Sequence, residues 1–272
     1  MTDRYAVIGN PIAHSKSPEI HAAFARQTGQ DMRYERILGP LDGFAAAVDA
    51  FRAAGGKGLN VTLPFKVEAF AYAGERTARA EAAGAVNTLK FDGDRVLGDN
   101  TDGAGLVRDL EVNLGVALEG RRVLLLGAGG AAQGVVLPLL LHGVRQLAIA
   151  NRTASKAVAV ADRFAVHGPV RGCGFDALSG QQFDVVINAT SASIAGDTPP
   201  LPAGIYAAGA TAYDMMYGRE ATPFMRQARE RGAKRVSDGL GMLVEQAAES
   251  FLLWRGVRPD TATVLRTLRQ AA

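Results

Sequence analysis

The chain has 272 residues, 48% of them hydrophobic and 21% charged, which suffices for one large globular domain or two modest ones. Its 30 basic and 27 acidic residues are scattered, leaving a net charge of +3 and no basic tract, which argues against a nucleic-acid partner. One cysteine, Cys173, excludes a disulfide framework within the chain and fits a reducing, cytoplasmic setting, and the four histidines His14, His21, His142 and His167 lack metal-ligand spacing.

Met1-Thr-Asp-Arg4 runs straight into Tyr5-Ala-Val-Ile-Gly9 without the charged-then-apolar run of a secretory leader, and the first strand is expected over 5–9. A helix follows over 18–27, a strand over 33–38, a helix over 41–53 and a strand over 59–63. Such alternation implies parallel strands joined by covering helices. In Gly58-Leu-Asn-Val-Thr-Leu-Pro-Phe-Lys66, period two places Leu59, Val61 and Leu63 on one face and Asn60 and Thr62 on the other. A lone cation, Lys66, stands where that strand runs out. Two runs over 85–97 flank Asp92-Gly93, which is hairpin chemistry.

Residues 123–144 carry no charge, but Gly127, Gly129, Gly130, Gly134 and Pro138 break the run, so a buried strand, a glycine turn and a buried helix are expected rather than a membrane span. Further strands are expected over 123–126, 146–150, 184–189 and 212–216, with helices over 131–142, 155–164, 240–254 and 261–270. Cys173 reads as a small apolar residue on a strand face. No linker separates the halves, so a boundary near Asp102 must lie inside ordered structure.

Val123-Leu-Leu-Leu-Gly127-Ala128-Gly129-Gly130-Ala131-Ala132 is a strand entering G-x-G-x-x-A and then an apolar helix. In a dinucleotide site the first glycine makes the turn, the second admits a pyrophosphate, and a small third residue lets helix and strand approach. The next strand ends at Asn151-Arg152-Thr153, with Lys156 a helical turn beyond Arg152. An acid there would bind the ribose hydroxyls of NAD, whereas an arginine suits the 2′-phosphate of NADP. Arg152 offers a planar fork for that phosphate and Lys156 a point charge.

The first half holds polar residues with little structural reason to be there. In Gly9-Asn-Pro-Ile-Ala-His-Ser15-Lys-Ser17-Pro18, Ser17 reads as a helix cap before Pro18, but Ser15 has no such role. Asn87 and Thr88 lie in an apolar run, and Asp102, in Gly98-Asp-Asn-Thr-Asp102-Gly, precedes a helix it could cap.

Asn10-Pro11 with His14-Ser-Lys-Ser-Pro18, Asn60-Val-Thr-Leu-Pro-Phe-Lys66, Gly84-Ala-Val-Asn-Thr88, Gly98-Asp-Asn-Thr-Asp102-Gly, Asn151-Arg-Thr153, Asn188-Ala-Thr-Ser191 and Gly241-Met-Leu-Val-Glu-Gln246 together resemble the shikimate dehydrogenase family, in order along the chain. The resemblance implies a two-domain α/β fold. Residues 1–103, completed by 238–272, would form a mixed α/β substrate domain, and 104–237 a Rossmann-type NADP domain, with the active site in the cleft between them. It implies reversible NADPH-dependent reduction of 3-dehydroshikimate to shikimate, in aromatic amino acid biosynthesis. Lys66 and Asp102 would do the chemistry, and Ser15, Ser17, Asn60, Thr62, Asn87, Asp102 and Gln246 would hold the substrate.

Lys66 suits its part, because charge developing on the carbonyl oxygen needs a nearby proton donor, and an aspartate beside the lysine orients the amine. The resemblance also puts Thr190, Ser191, Met215, Tyr217, Gly239 and Met242 near the cofactor or lining the cleft. The chain departs from the usual family pattern at Ala192-Ser-Ile-Ala-Gly196 and at Arg219. A paralogue acting on quinate, or an idle NADP-binding regulatory module, stays open, and so does a homodimer. No membrane partner is expected.

Overall fold

In the computed structural model, which describes residues 2–190, 192 and 196–270, the chain divides into two units. One is formed by the residues up to Gly105 together with those from Val244 onward, the other by Leu106–Leu243.

In the first unit β1 (Asp3–Gly9), α1 (Ser17–Thr28), β2 (Met32–Leu38), α2 (Phe44–Ala53) and β3 (Gly56–Val61) alternate, and β1 pairs in parallel with both β2 and β3. After α3 (Lys66–Tyr72), β4 (Glu75–Arg76) and α4 (Ala78–Ala83), the strands β5 (Thr88–Asp92) and β6 (Arg95–Asp99) form the expected hairpin. Gly93 in its turn takes φ +58°, a conformation that glycine adopts without a steric cost. β5 pairs antiparallel with β3, so the sheet is mixed, in the order β2-β1-β3-β5-β6-β4. Phe44, Val48, Phe51 and Phe65 pack with Ile8, Leu59, Val61 and Leu89 in its core.

The strand expected over 59–63 is shorter than the alternation suggests. β3 stops at Val61, and Leu63 is 68% exposed rather than sharing the face of Leu59 and Val61. Pro64 lacks the N–H a ladder needs, and fully buried Phe65 continues the apolar face instead.

α5 (Asp102–Arg108) leads onward and widens into a π-helical turn over Asp109–Asn113. The second unit contains β7 (Arg122–Leu126), α6 (Gly130–Leu141), β8 (Gln146–Ala150), α7 (Ala154–Phe164), β9 (Val170–Cys173), β10 (Phe183–Asn188), β11 (Tyr206–Asp214), α8 (Pro223–Glu230) and β12 (Arg235–Ser237). Among the described residues its five strand pairings are all parallel, in the order β12-β11-β10-β7-β8-β9. Counting β7 as the first strand, this is the 3-2-1-4-5-6 order of a dinucleotide-binding sheet, reversing direction between β7 and β10. Val123 to Leu126 are fully buried, as parallel strands covered on both faces require. Among the described residues no helix is long and apolar enough to cross a membrane.

α9 (Leu240–Arg255) and α10 (Thr261–Gln270) close the chain. Late in α9, Trp254 Nε1 donates to the Leu89 carbonyl at 2.9 Å across the backbone of Gly58, where an added Cβ would lie 2.5 Å from the indole nitrogen. Gly58 thus lets the last turns of α9 sit on β3 and β5.

Candidate active site

Lys66 and Asp102 arrive from different strand ends and meet. Lys66 opens α3, just after buried Phe65 anchors the turn leaving β3. Asp102 opens α5, and the approach to it is tightly held. Asp99 at the end of β6 is 1% exposed and accepts from Arg79 at 2.6 and 2.5 Å and from Thr77 Oγ1 at 2.6 Å. Asn100 Oδ1 takes the Asp102 N–H, and Asn87 Oδ1 takes the Thr101 N–H at 2.9 Å. Lys66 Nζ then donates to Asp102 Oδ2 at 2.6 Å, while Asp102 Oδ1 accepts from Asn87 Nδ2 at 2.8 Å. The Lys66 side chain keeps 23% exposure and that of Asp102 10%. A paired lysine reachable from solvent can pass a proton to a ligand, which a sealed ion pair could not.

Around this pair lie other expected residues of the same unit. Asn87 Nδ2 also approaches Thr101 Oγ1 at 2.9 Å and Gln246 Oε1 at 3.4 Å, which brings α9 into the cluster. Thr62 is partly buried just past β3, with its methyl packed against Gly9. Ser17 is not the cap of α1. Lys16 holds that position without a side-chain cap bond, and the Ser17 hydroxyl meets Ser15 Oγ at 3.2 Å and the Tyr34 hydroxyl. Nor is the Asp102 carboxylate spent on capping, since its oxygens serve Lys66 and Asn87.

Two residues that sequence reasoning passed over join here. Tyr34 donates to Asn60 Oδ1 at 2.7 Å, and His21 Nε2 lies 3.2 Å from the same oxygen. The two rings stack with centroids 4.2 Å apart. His21 is fully buried among aromatic rings, and that desolvation pushes its pKa down to about 3, against the smaller opposing effect of the Asn60 hydrogen bond. Burial likewise raises the Tyr34 pKa well above its usual value, opposed by the bond to Ser17.

In the second unit the glycine turn lies at the reversal point of the sheet, next to the segment that follows β10. Gly127 has φ +108°, and an added Cβ would come within 3.3 Å of the Ala189 carbonyl and the Thr190 methyl. The glycine turn after β7 and the segment after β10 are therefore adjacent. At Gly129 and Gly130 an added Cβ meets nothing within 4 Å, so both leave open space before the N-terminus of α6. Ala128 is buried and Ala131 exposed. Arg152, Thr153 and Lys156 are exposed beyond β8, and Asn151 Nδ2 donates to the Thr153 carbonyl at 3.0 Å, holding that turn. Thr190 Oγ1 donates to Asn188 Oδ1 at 2.7 Å, and Met215 N–H bonds to the Asn188 carbonyl. Tyr217 is partly buried close by in sequence, and Ser191 lies outside the described residues.

Three family models match the chain. The shikimate dehydrogenase substrate binding domain covers residues 7–89, shikimate / quinate 5-dehydrogenase covers 110–195, and the shikimate 5'-dehydrogenase C-terminal domain covers 239–269. Shikimate dehydrogenase (NADP(+)) of Nitrosospira multiformis is 63% identical over 271 residues, spanning 100% of this chain and 98% of that protein. The chain belongs to the shikimate dehydrogenase family. It is an NADP-dependent oxidoreductase acting on a CH–OH group. Among solved structures, an Ael1 enzyme from Pseudomonas putida matches with TM-score 0.92 at 53% identity, over 98% of each chain. Shikimate 5-dehydrogenase from Thermus thermophilus, solved in complex with NADP(H) and shikimate, matches with TM-score 0.88 at 33% identity over 100% of both chains.

In this shikimate dehydrogenase family member, a Gly-Leu-Gly-Met run leads into α9, and the packing explains both glycines. A Cβ at Gly239 would sit 2.2 Å from the Met215 carbonyl, and one at Gly241 only 1.9 Å from Asp109 Oδ1. Asp109, in the π-helical turn, is 1% exposed and accepts from the Tyr213 hydroxyl at 2.6 Å and from Asn113 Nδ2 at 2.9 Å. Buried Met242 follows directly. Helix propensity alone predicts that Gly241→Ala gains about 1 kcal/mol. The collision with an immobile carboxylate outweighs it, and we expect a net loss of about 2–3 kcal/mol, read as a thermal midpoint lower by roughly 5–10 °C.

Proposed function

We propose that the chain interconverts 3-dehydroshikimate and shikimate with NADP(H), in the cytoplasm and as a step of aromatic amino acid biosynthesis. The unit that contains Lys66 is the substrate domain and the other binds the cofactor. The observation that carries the reading is the 2.6 Å bond between Lys66 Nζ and Asp102 Oδ2, partly open to solvent and braced by Asn87.

NADPH, when bound, supplies the hydride that reaches the carbonyl carbon. As the C=O electron pair moves to oxygen, Lys66 in its ammonium form donates a hydrogen bond to that oxygen and then a proton, giving the alcohol and a neutral amine. In oxidation the neutral amine takes the hydroxyl proton as hydride leaves. Asp102 holds the amine in place through Oδ2 and would also accept from a substrate hydroxyl. Ser15, Ser17, Thr62, Asn87 and Gln246 supply the remaining polar contacts expected of a site for a polyhydroxylated acid. Open space at Gly129 and Gly130 supports a bound pyrophosphate, and Arg152 with Lys156 a 2′-phosphate.

The test is reduction of NADP and of NAD, each with shikimate and with quinate, followed by nicotinamide absorbance. Dominant turnover of NADP with shikimate is expected. Dominant quinate turnover would overturn the substrate assignment, and cofactor binding without turnover would overturn the catalytic one. Arg152→Ala is expected to raise KM for NADP by about tenfold or more, the worth of one charge-assisted phosphate contact, while leaving KM for NAD unchanged. An equal effect on both cofactors would count against the phosphate contact.

A further inference from the structure

Asn60 sits at the heart of the candidate substrate site, yet its carboxamide is fully engaged by protein. Oδ1 accepts from Tyr34 and faces His21 Nε2. Nδ2 lies 2.9 Å from Ser250 Oγ, 3.1 Å from Thr88 Oγ1 and 3.3 Å from the Asn87 carbonyl. Two N–H groups and two lone pairs meet five partners, so the carboxamide is held by protein at both ends. The amide orientation is also decided by its surroundings, because the Asn87 carbonyl can only accept and must face the NH2 group.

With that end fixed, one route of bonds runs head to tail, while the 2.8 Å contact of Thr88 Oγ1 with Ser250 Oγ can be donated from either side. Ser15 Oγ donates to Ser17 Oγ, Ser17 bonds Tyr34, and the Tyr34 hydroxyl donates to Asn60 Oδ1. Asn60 Nδ2 donates to Thr88 Oγ1, which donates to Asn87 Oδ1 at 2.9 Å. Asn87 Nδ2 then donates to Asp102 Oδ1, and Lys66 holds the other carboxylate oxygen. Donors aligned head to tail polarise one another, and the line ends on the group beside the acid/base lysine.

We propose that Tyr34 is a positioning residue for the reaction. Through Asn60 and Thr88 it adds to the Thr101 N–H, which already faces Asn87 Oδ1, in holding the Asn87 nitrogen toward Asp102, and Asn60 belongs to this support. The inference rests on the shikimate dehydrogenase reading of the site. Without the Tyr34 hydroxyl, Asn60 Oδ1 keeps only His21, and the Asn87 amide loses part of what prevents it from turning.

The test uses the full chain and the variant Tyr34→Phe, which keeps the ring stacked on His21, together with Thr88→Val, which cuts the line one link further on. Rates are counted per NADPH-binding site by fluorescence titration, so that loss of folded protein does not enter. Each variant is expected to lose about tenfold in kcat for shikimate oxidation, with KM for NADP unchanged, and the double variant to lose little more than the larger single loss, because both act through one line. A purely structural role would instead lower the thermal midpoint and leave kcat per site within about twofold of the parent, which overturns the proposal. Independent, multiplying losses in the double variant would overturn it as well. If the parent binds NADPH but does not oxidise shikimate, the reading of the site fails first, and Tyr34 with it.

Discussion

Replacing Lys66 by methionine is expected to lower kcat for shikimate oxidation by about a thousandfold, the middle of the range that a positioned acid/base group contributes. Methionine keeps most of the aliphatic stem and removes the ammonium, so α3 retains its first residue and Phe65 its packing. The affinity for NADPH should stay at the parent value, because the glycine turn and Arg152 belong to the other unit. Arginine should not restore the rate, since a guanidinium cannot give up its proton in the working pH range. Absorbance assays of the two variants beside the parent check this. A Lys66→Met protein that keeps a tenth of parental turnover would assign the proton transfer to another group.

The second large effect concerns stability in acid. His21 is fully buried with its pKa lowered to about 3, whereas in the unfolded chain it titrates near the ordinary histidine value of about 6.5. Above pH 6.5 both states hold it neutral and its full contribution is present. As the pH falls below that value the unfolded chain takes up a proton that the folded chain refuses, so unfolding becomes easier, and the loss levels off near the folded pKa. The difference of about 3.5 units corresponds to a ceiling of about 5 kcal/mol. Carboxylates titrate over part of the same range, so the informative quantity is the difference between the parent and His21→Gln. Between about pH 7.5 and about pH 4.5 the parent should lose roughly 2–3 kcal/mol more than the variant in urea unfolding. Parallel pH profiles would mean that His21 is protonated in the fold or reached by water.

Much of this architecture is readable from residue order. The compact aliphatic runs at β7, β8 and β10 and the hairpin about Asp92-Gly93 announce themselves, because a parallel core strand admits few polar residues and a tight turn needs particular ones. β4, β9 and β12 do not, at two to four residues each, since runs such as Val-Arg-Gly-Cys become strands only where a neighbour supplies the ladder. α4 and α8 are also invisible, as short helices whose burial is decided by tertiary contacts.

At the site, the motifs pointed to Ser15, Ser17, Asn87, Lys66 and Asp102 individually. The meeting of Lys66 with Asp102, 36 residues apart, is a property of the folded sheet. Tyr34 stands in Met-Arg-Tyr-Glu-Arg-Ile-Leu, where it looks like any strand aromatic, and His21 like any helix residue one turn after Ser17. Only the hydrogen bonds converging on Asn60 distinguish them. The reason for Gly241 was equally hidden, because it lies in the distance to a carboxylate more than a hundred residues earlier.

The return of α9 to the first unit also bears on how the molecule is made. Asn60 bonds Ser250 across 190 residues of sequence, Trp254 bonds Leu89 across 165, and Gln246 approaches Asn87 across 159. A ribosome releases the chain from its N-terminus, so β1 to β6 emerge long before the helix that completes their polar cluster. The continuous Leu106–Leu243 segment, with its parallel sheet, is entirely available before that helix. During synthesis the Leu106–Leu243 unit can therefore be finished while the polar cluster around Lys66 and Asp102 still waits for its last wall, and a nascent chain stalled before Gln246 would hold Asn87 and Asn60 without partners that help orient them.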